Sequence, residues 1–169
     1  MTLTSLSQVV LDDLIKAGLA SPRLRQHRNI HVSHDDPCQR FFNAIDCDSY
    51  IRPHRHALDP KAETLIAVRG LFALLVFDDS GHIQSLIRFG TEKYADALGV
   101  GVGVDLSPGI WHTIMALVPG SVLLELKAGP FNPAAAKEPA GWAPEEQTAE
   151  AMAYFESLKR KVKLELCPD

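Results

Sequence analysis

Long apolar runs are missing from this chain. Stretches such as LFALLVF, residues 71–77, fall far short of the roughly 18 to 20 residues a membrane span needs. Cysteine is sparse: Cys38, Cys47 and Cys167 are odd in number and form no CxxC pair. A disulfide framework is therefore disfavoured, and a reducing compartment fits better. Positive charge is not in excess either. Lys and Arg total 17 against 21 Asp and Glu, for a net charge of −4 and a pI near 5.9. That balance gives no global electrostatic case for nucleic acid or an anionic membrane as partner. The first residues, MTLTSLSQVVLDDLIK, lack a basic leader and carry Asp12 and Asp13 where a signal peptide is apolar. A cytoplasmic protein is the expectation, and no repeat or low-complexity linker divides it.

The 169 residues, 46% hydrophobic and 22% charged, suit one domain over 1–169 with a core that needs no staples. A helix is expected over about 5–19. Leu6, Val10, Leu14 and Ala17 recur at helical spacing, Ser5 and Gln8 suit a capping box, and Gly18 and Pro22 close it. A second helix is expected to end near 163. Pro144 suits its first turn, and Met152, Phe155 and Leu158 share one face. Lys159, Arg160, Lys161 and Lys163 crowd its negative end, as a helix C-terminus favours, rather than forming a nucleic-acid patch. Between these ends the period changes. TLIAVRG, LFALLVFDDSG, HIQSLIRFG, VGVGVDLSPG, WHTIMALVPG and SVLLELKAGP are short runs rich in β-branched and large apolar residues, each stopped by Gly, Pro or Asp. DDSG between two of them signals a hairpin. The pattern predicts an antiparallel sandwich or small barrel over about 30–131. The passage 132–146, rich in Pro and Ala, is expected to drape over its surface, with Trp142 as an anchor.

Two histidines stand one residue apart in RPHRH, residues 52–56. On a strand, Arg52, His54 and His56 project to one face and Pro53 and Arg55 to the other. Alone, the pair reads as an incidental basic strand edge, and Arg55 reads as solvated. Downstream, HRHALDPKAETLIAVRG adds Glu63 and Gly70, and VGVDLSPGIWHTI adds His112 after a Pro-Gly turn. Three histidines and a carboxylate form a set that holds a borderline divalent ion.

These two stretches resemble the paired motifs of the cupin superfamily: HxH, then glutamate and glycine, and later a Pro/Gly turn followed by histidine. Three details differ from the commonest form. The gap between His56 and Glu63 is longer, Pro108 and Gly109 are adjacent, and Ala116 stands where asparagine is frequent. The texture of 25–146, from RNIHVSHDDPCQRFFNAI through SYIRPHRH and PGIWHTI to LLELKAGPFNP and KEPAGWAPEE, is similar to the WbuC-like cupin-fold metalloproteins. That resemblance implies an all-β fold, an antiparallel double-stranded β-helix (jelly-roll barrel) with short terminal helices. It implies His54, His56, Glu63 and His112 as ligands of a divalent transition metal, Fe, Zn, Mn or Ni. It also links the chain with surface-polysaccharide (O-antigen) gene clusters.

Tyr50 and Arg52, of the same parity as the HxH pair, are candidates for the pocket, where a guanidinium suits an anion. Glu125 and Lys127 share a face opposite Leu124 and Leu126; parity alone suits a surface cross-strand pair, and the resemblance makes them further pocket candidates. His31, Gln39 and Arg40 suit a pocket entrance or a dimer interface, whereas His27, His34 and His82 read as solvated. Trp111, opposite His112 in parity, reads as packing. The function this implies is a metal-dependent enzyme acting on a small polar molecule, with a sugar or sugar nucleotide as candidate. A non-catalytic ligand-binding or accessory protein and an Fe(II)-dependent dioxygenase are the alternatives. Small cupins commonly pair through sheet edges, so a homodimer is expected.

Overall fold

The computed structural model describes residues 3–95 and 99–166; Cys167 lies outside them. A helix, α1 (Gln8–Ala20), precedes β1 (Arg25–Asn29) and β2 (Cys38–Ile45). A two-residue strand, β3 (His54–Arg55), leads to β4 (Glu63–Arg69), β5 (Leu71–Phe77) and β6 (Ile83–Gly90). After a 3-10 turn at Glu92–Tyr94 come β7 (Gly103–Leu106), β8 (Trp111–Ala116) and β9 (Ser121–Ala128). A short β10 (Glu138–Pro139) and α2 (Ala149–Leu166) complete the order. All six expected runs are strands, and DDSG joins β5 to β6 as an antiparallel hairpin.

Two five-stranded sheets face each other, ordered β1-β2-β9-β4-β7 and β10-β3-β8-β5-β6. They meet along one side, where Gly90 N donates to Gly101 O (2.8 Å) and Ala67 N to Val102 O (2.9 Å). On the other side, where β1 and β10 are the edge strands, the barrel has its mouth.

Strand alternation sorts each strand between two destinations. Inward, Leu65, Phe72, Leu74, Ile114 and Leu123 form the barrel core with Phe89, whose ring stacks on Phe72 at 5.3 Å. Outward from one sheet, Phe42, Ala44 and Val122 receive Leu11 and Leu14 of α1. Outward from the other, Ala73, Leu75, Phe77 and Met115 receive Phe155, Leu158 and Val162 of α2. Burying each such side chain contributes about 1.5–3 kcal/mol. The helices thus cover the outer faces, and one end of the interior is left for polar side chains.

Several expectations shift. The sheet starts at Arg25 rather than near 30, because β1 reads RQHRN, a strand without an apolar face. The N-cap of α1 is Ser7, whose Oγ accepts from Val10 N, not Ser5. This sets the buried stripe at Leu11, Leu14 and Gly18 and leaves Leu6 half exposed. α2 begins at Ala149 rather than at Pro144, after Gln147 adopts a left-handed φ of 66°. Thr148 Oγ1 caps it by accepting from Ala151 N at 3.1 Å. Met152 consequently faces solvent. The Pro/Ala-rich passage is more than a drape. It supplies β10, which pairs with β3, and buries Ala140 and Ala143, while Trp142 packs on Phe77 at 5.1 Å.

Candidate metal centre and its cavity

His54, on β3, lies opposite His112, on β8, in the cross-strand register. His56 follows two residues after His54. The three rings converge: one nitrogen from each falls within 4.8 Å of the others. Each ring is held from behind by a backbone carbonyl. His54 Nδ1 bonds Arg52 O (3.0 Å), His56 Nδ1 bonds Ala136 O (2.5 Å) and His112 Nδ1 bonds Ile110 O (2.9 Å). A carbonyl only accepts, so each Nδ1 carries the proton and each Nε2 presents a lone pair. Burial, then the neighbouring His112 and Lys137, holds the His54 pKa well below the usual imidazole range, so it is neutral.

Glu63, at the start of β4, closes the group. Its Oε2 lies 3.3 Å from His56 Nε2 and 3.4 Å from His112 Nε2. With Nδ1 protonated, these contacts set acceptor against acceptor, and His56 Nε2 is a buried atom without a hydrogen-bond partner. A cation between them satisfies both sides. Carbonyl-oriented imidazoles beside a carboxylate are the donor set of a divalent transition ion, and these residues fit one.

The group opens into a cavity of about 520 Å³ whose lining follows the register of the opposite sheet. One rung runs Gln39–Lys127–Glu63, the next Phe41–Glu125–Leu65, and a third joins His27, Asn43 and Leu123. Lys127 Nζ stands 3.6 Å from Glu63 Oε1. Burial first, and then the Glu63 charge, pushes the Glu125 pKa well above the carboxylate range, so Glu125 donates its proton to Glu63. Glu63 goes the other way. Burial would raise its pKa, but the hydrogen bond from Glu125 and the Lys127 charge help hold it well below the carboxylate range.

Glu125 and Lys127 therefore lie in the cavity with the histidines and Glu63. Tyr50 and Arg52 do not. β3 begins only at His54, so strand parity does not extend back to 52 and 50. Arg52 donates to Ala140 O (3.2 and 2.8 Å), and Tyr50 donates to Pro144 O (3.0 Å) while its ring packs on Phe155. Both fasten the 140–146 passage to the barrel. Arg55, expected to be solvated, makes a two-point contact with Glu138 (3.0 and 2.9 Å) and covers the Trp111 ring. His27 and His34, read as solvated, are exposed and also line the cavity, beside the buried His31 and Gln39. His82 is exposed in the hairpin beside Asp78.

The mouth is pinned by a nearly buried ion pair, Arg25 Nη2 to Glu146 Oε2 at 2.6 Å. Burial raises the Glu146 pKa, but the Arg25 hydrogen bond and charge outweigh it and leave it below 4.5. A carboxyl depressed on folding adds stability above its unfolded pKa and loses it as pH falls through the folded value. Glu146→Gln is expected to lower stability by about 1–2 kcal/mol near neutrality. The loss shrinks as pH drops below 4.5, and urea unfolding of both proteins across that range measures it.

Residues 6–89 match the model of a family described as a domain of unknown function, DUF6016. No curated protein matches the chain. Among solved structures, an uncharacterized conserved protein with a double-stranded β-helix domain from Klebsiella pneumoniae superposes with a TM-score of 0.53 at 13% identity, over 83% of this chain and 97% of that one. The fold is a cupin barrel. Protein SO0799 from Shewanella oneidensis gives a TM-score of 0.54 at 12% identity, covering 85% of this chain and 87% of the other. At these identities the likeness concerns the barrel alone.

Proposed function

We propose that this cupin-fold chain is a metal-dependent enzyme acting on a small polar molecule. His54, His56, His112 and Glu63 would hold a divalent transition ion, Fe, Zn, Mn or Ni. The observation that carries the reading is the orientation of the three imidazoles: each Nδ1 is committed to a carbonyl, so the three Nε2 atoms are left to converge on one another, two of them beside Glu63. Bound there, the ion would supply Lewis-acid or redox chemistry. The chain's own groups have separate tasks. Glu125 holds a proton against Glu63, Lys127 balances the Glu63 charge, and the apolar walls of Leu65, Ile114 and Leu123 limit water. The buried Oδ1 of Asn43 is without a partner among the described residues. It lines the cavity and suits a ligand hydroxyl, which favours a polyhydroxylated substrate. The likeness to WbuC-like sequences supports a sugar or sugar nucleotide of surface-polysaccharide metabolism, handled in the cytoplasm by a homodimer.

Protein purified without added metal is expected to carry about one divalent ion per chain, read by elemental analysis. Turnover of sugars or sugar nucleotides without oxygen uptake supports Lewis-acid chemistry. Oxygen uptake that disappears on chelation turns the assignment to a dioxygenase. Ligand binding without turnover makes the chain a binding or accessory protein. A chain that takes up no metal even when metal is supplied refutes the centre.

A further inference from the structure

The cavity mouth carries positive charge that the centre does not use. Of the cations lining the cavity, Arg25 is matched by Glu146 at 2.6 Å and Lys127 by Glu63 at 3.6 Å. Arg23 and Lys137 also line it, and neither side chain makes an ion pair or hydrogen bond among the described residues. They come from opposite sides of the opening, Arg23 from the turn before β1 and Lys137 from the turn before β10. His27, two residues into β1, lies on the same lining.

This arrangement is built rather than incidental. Leu24, between the two arginines, holds a left-handed φ of 54°, a conformation that persists in an L-residue only where its surroundings enforce it. The restraints are visible. Arg23 O accepts from the fully buried Ser49 Oγ at 2.7 Å, Leu24 N donates to Ser21 O at 2.9 Å, and Leu24 O accepts from Asp46 N at 3.0 Å. Lys137 follows Ala136, whose carbonyl orients His56, and precedes Glu138, which is bound to Arg55. Both cations are thus exposed side chains on fixed backbone. Their charges are among the lesser influences on His27. The His27 pKa falls to about 4, by loss of water first and then by the charges of Arg25, Arg23 and Lys137.

We propose that the mouth is an anion subsite, in which Arg23, Lys137 and the His27 imidazole hold a carboxylate or phosphate of the ligand whose other end reaches the histidine centre. Arg23 supplies a planar fork and Lys137 a point charge. Asn43, across the rung from His27, accepts a hydroxyl between the two ends. This rests on the reading of the centre as a ligand-binding metal site and narrows its substrate to a hydroxylated acid or a sugar phosphate.

The test uses the full chain, as purified and after chelation, with inorganic phosphate and acetate as separate calorimetric probes. At least one anion is expected to bind with or without metal. Arg23→Gln with Lys137→Gln is expected to weaken that binding by about tenfold or more, with metal content unchanged. Tighter binding of phosphate points to a sugar phosphate, and tighter binding of acetate to an acid. Both side chains are at the surface, and circular dichroism checks that the variant is folded. On saturation, the His27 pKa measured by NMR is expected to rise from about 4. Two results overturn the subsite: neither anion binding, or binding that vanishes on chelation and is untouched by the double substitution. Either would leave the metal reading standing. Metal-free protein that binds anion normally and never takes up metal would do the reverse.

Discussion

His112→Ala protein is expected to leave purification with less than about a tenth of the divalent metal of the unaltered chain. His112 is 4% exposed and stands first on the inner face of β8, paired with His54 on the neighbouring β3. Its ring is fixed by Ile110 O, and its Nε2 faces Glu63 at 3.4 Å. Truncation removes one of three convergent lone pairs and leaves Glu63 facing a void. A coordination sphere reduced to two histidines and Glu63 loses affinity steeply, because one of its four bonds is gone. Glu63→Gln is expected to give a smaller loss, since it keeps the shape and removes only the charge. His82→Ala, in the exposed hairpin beside Asp78, is the control and should keep its metal. Elemental analysis of the three proteins decides the matter, with near-ultraviolet circular dichroism confirming packed cores. Full metal content in His112→Ala would refute the centre.

Legibility in this chain followed the length and polarity of each strand. β9 is eight residues long with Val122 and Leu124 on one face, so Glu125 and Lys127 could be placed together on the other; parity did not say which face is inside, and the structure puts both in the cavity. β3 is two residues long, and the same alternation carried back to Arg52 and Tyr50 fails because no strand exists there to alternate. Their partners, Ala140 and Pro144, are nearly ninety and more than ninety residues away, a pairing no local pattern encodes. The place of the exposed His27 on a cavity-lining strand was hidden for a different reason. A strand whose inner face lines a polar cavity and whose outer face meets water has no apolar side, and RQHRN is indistinguishable from a loop. A signal did exist: Arg25, His27 and Asn29 keep one parity, and all three line the cavity. The Pro/Ala passage was misjudged because prolines argue against a strand in a sheet centre but allow one at an edge, which is where β10 lies.

Gly70→Ala is expected to cost about 2–4 kcal/mol of folding stability. The glycine of the first motif links β4 in one sheet to β5 in the other, and two separate demands fall on it. Its φ is +77°, in the left-handed region where a Cβ meets the following carbonyl. A Cβ there would also lie 2.1 Å from Ser121 Oγ and 2.9 Å from Ser121 Cβ. Ser121 is completely buried and donates to Val118 O at 2.7 Å, so it has no free direction in which to retreat. The two contributions are separable. Ser121→Gly removes the clashing atoms but leaves the φ unchanged, so adding Gly70→Ala to that background is expected to cost only about 1–2 kcal/mol, the backbone part alone. Equal costs of Gly70→Ala in both backgrounds, measured by urea unfolding, would show that the contact with Ser121 contributes nothing and that the glycine is required by its backbone angle alone.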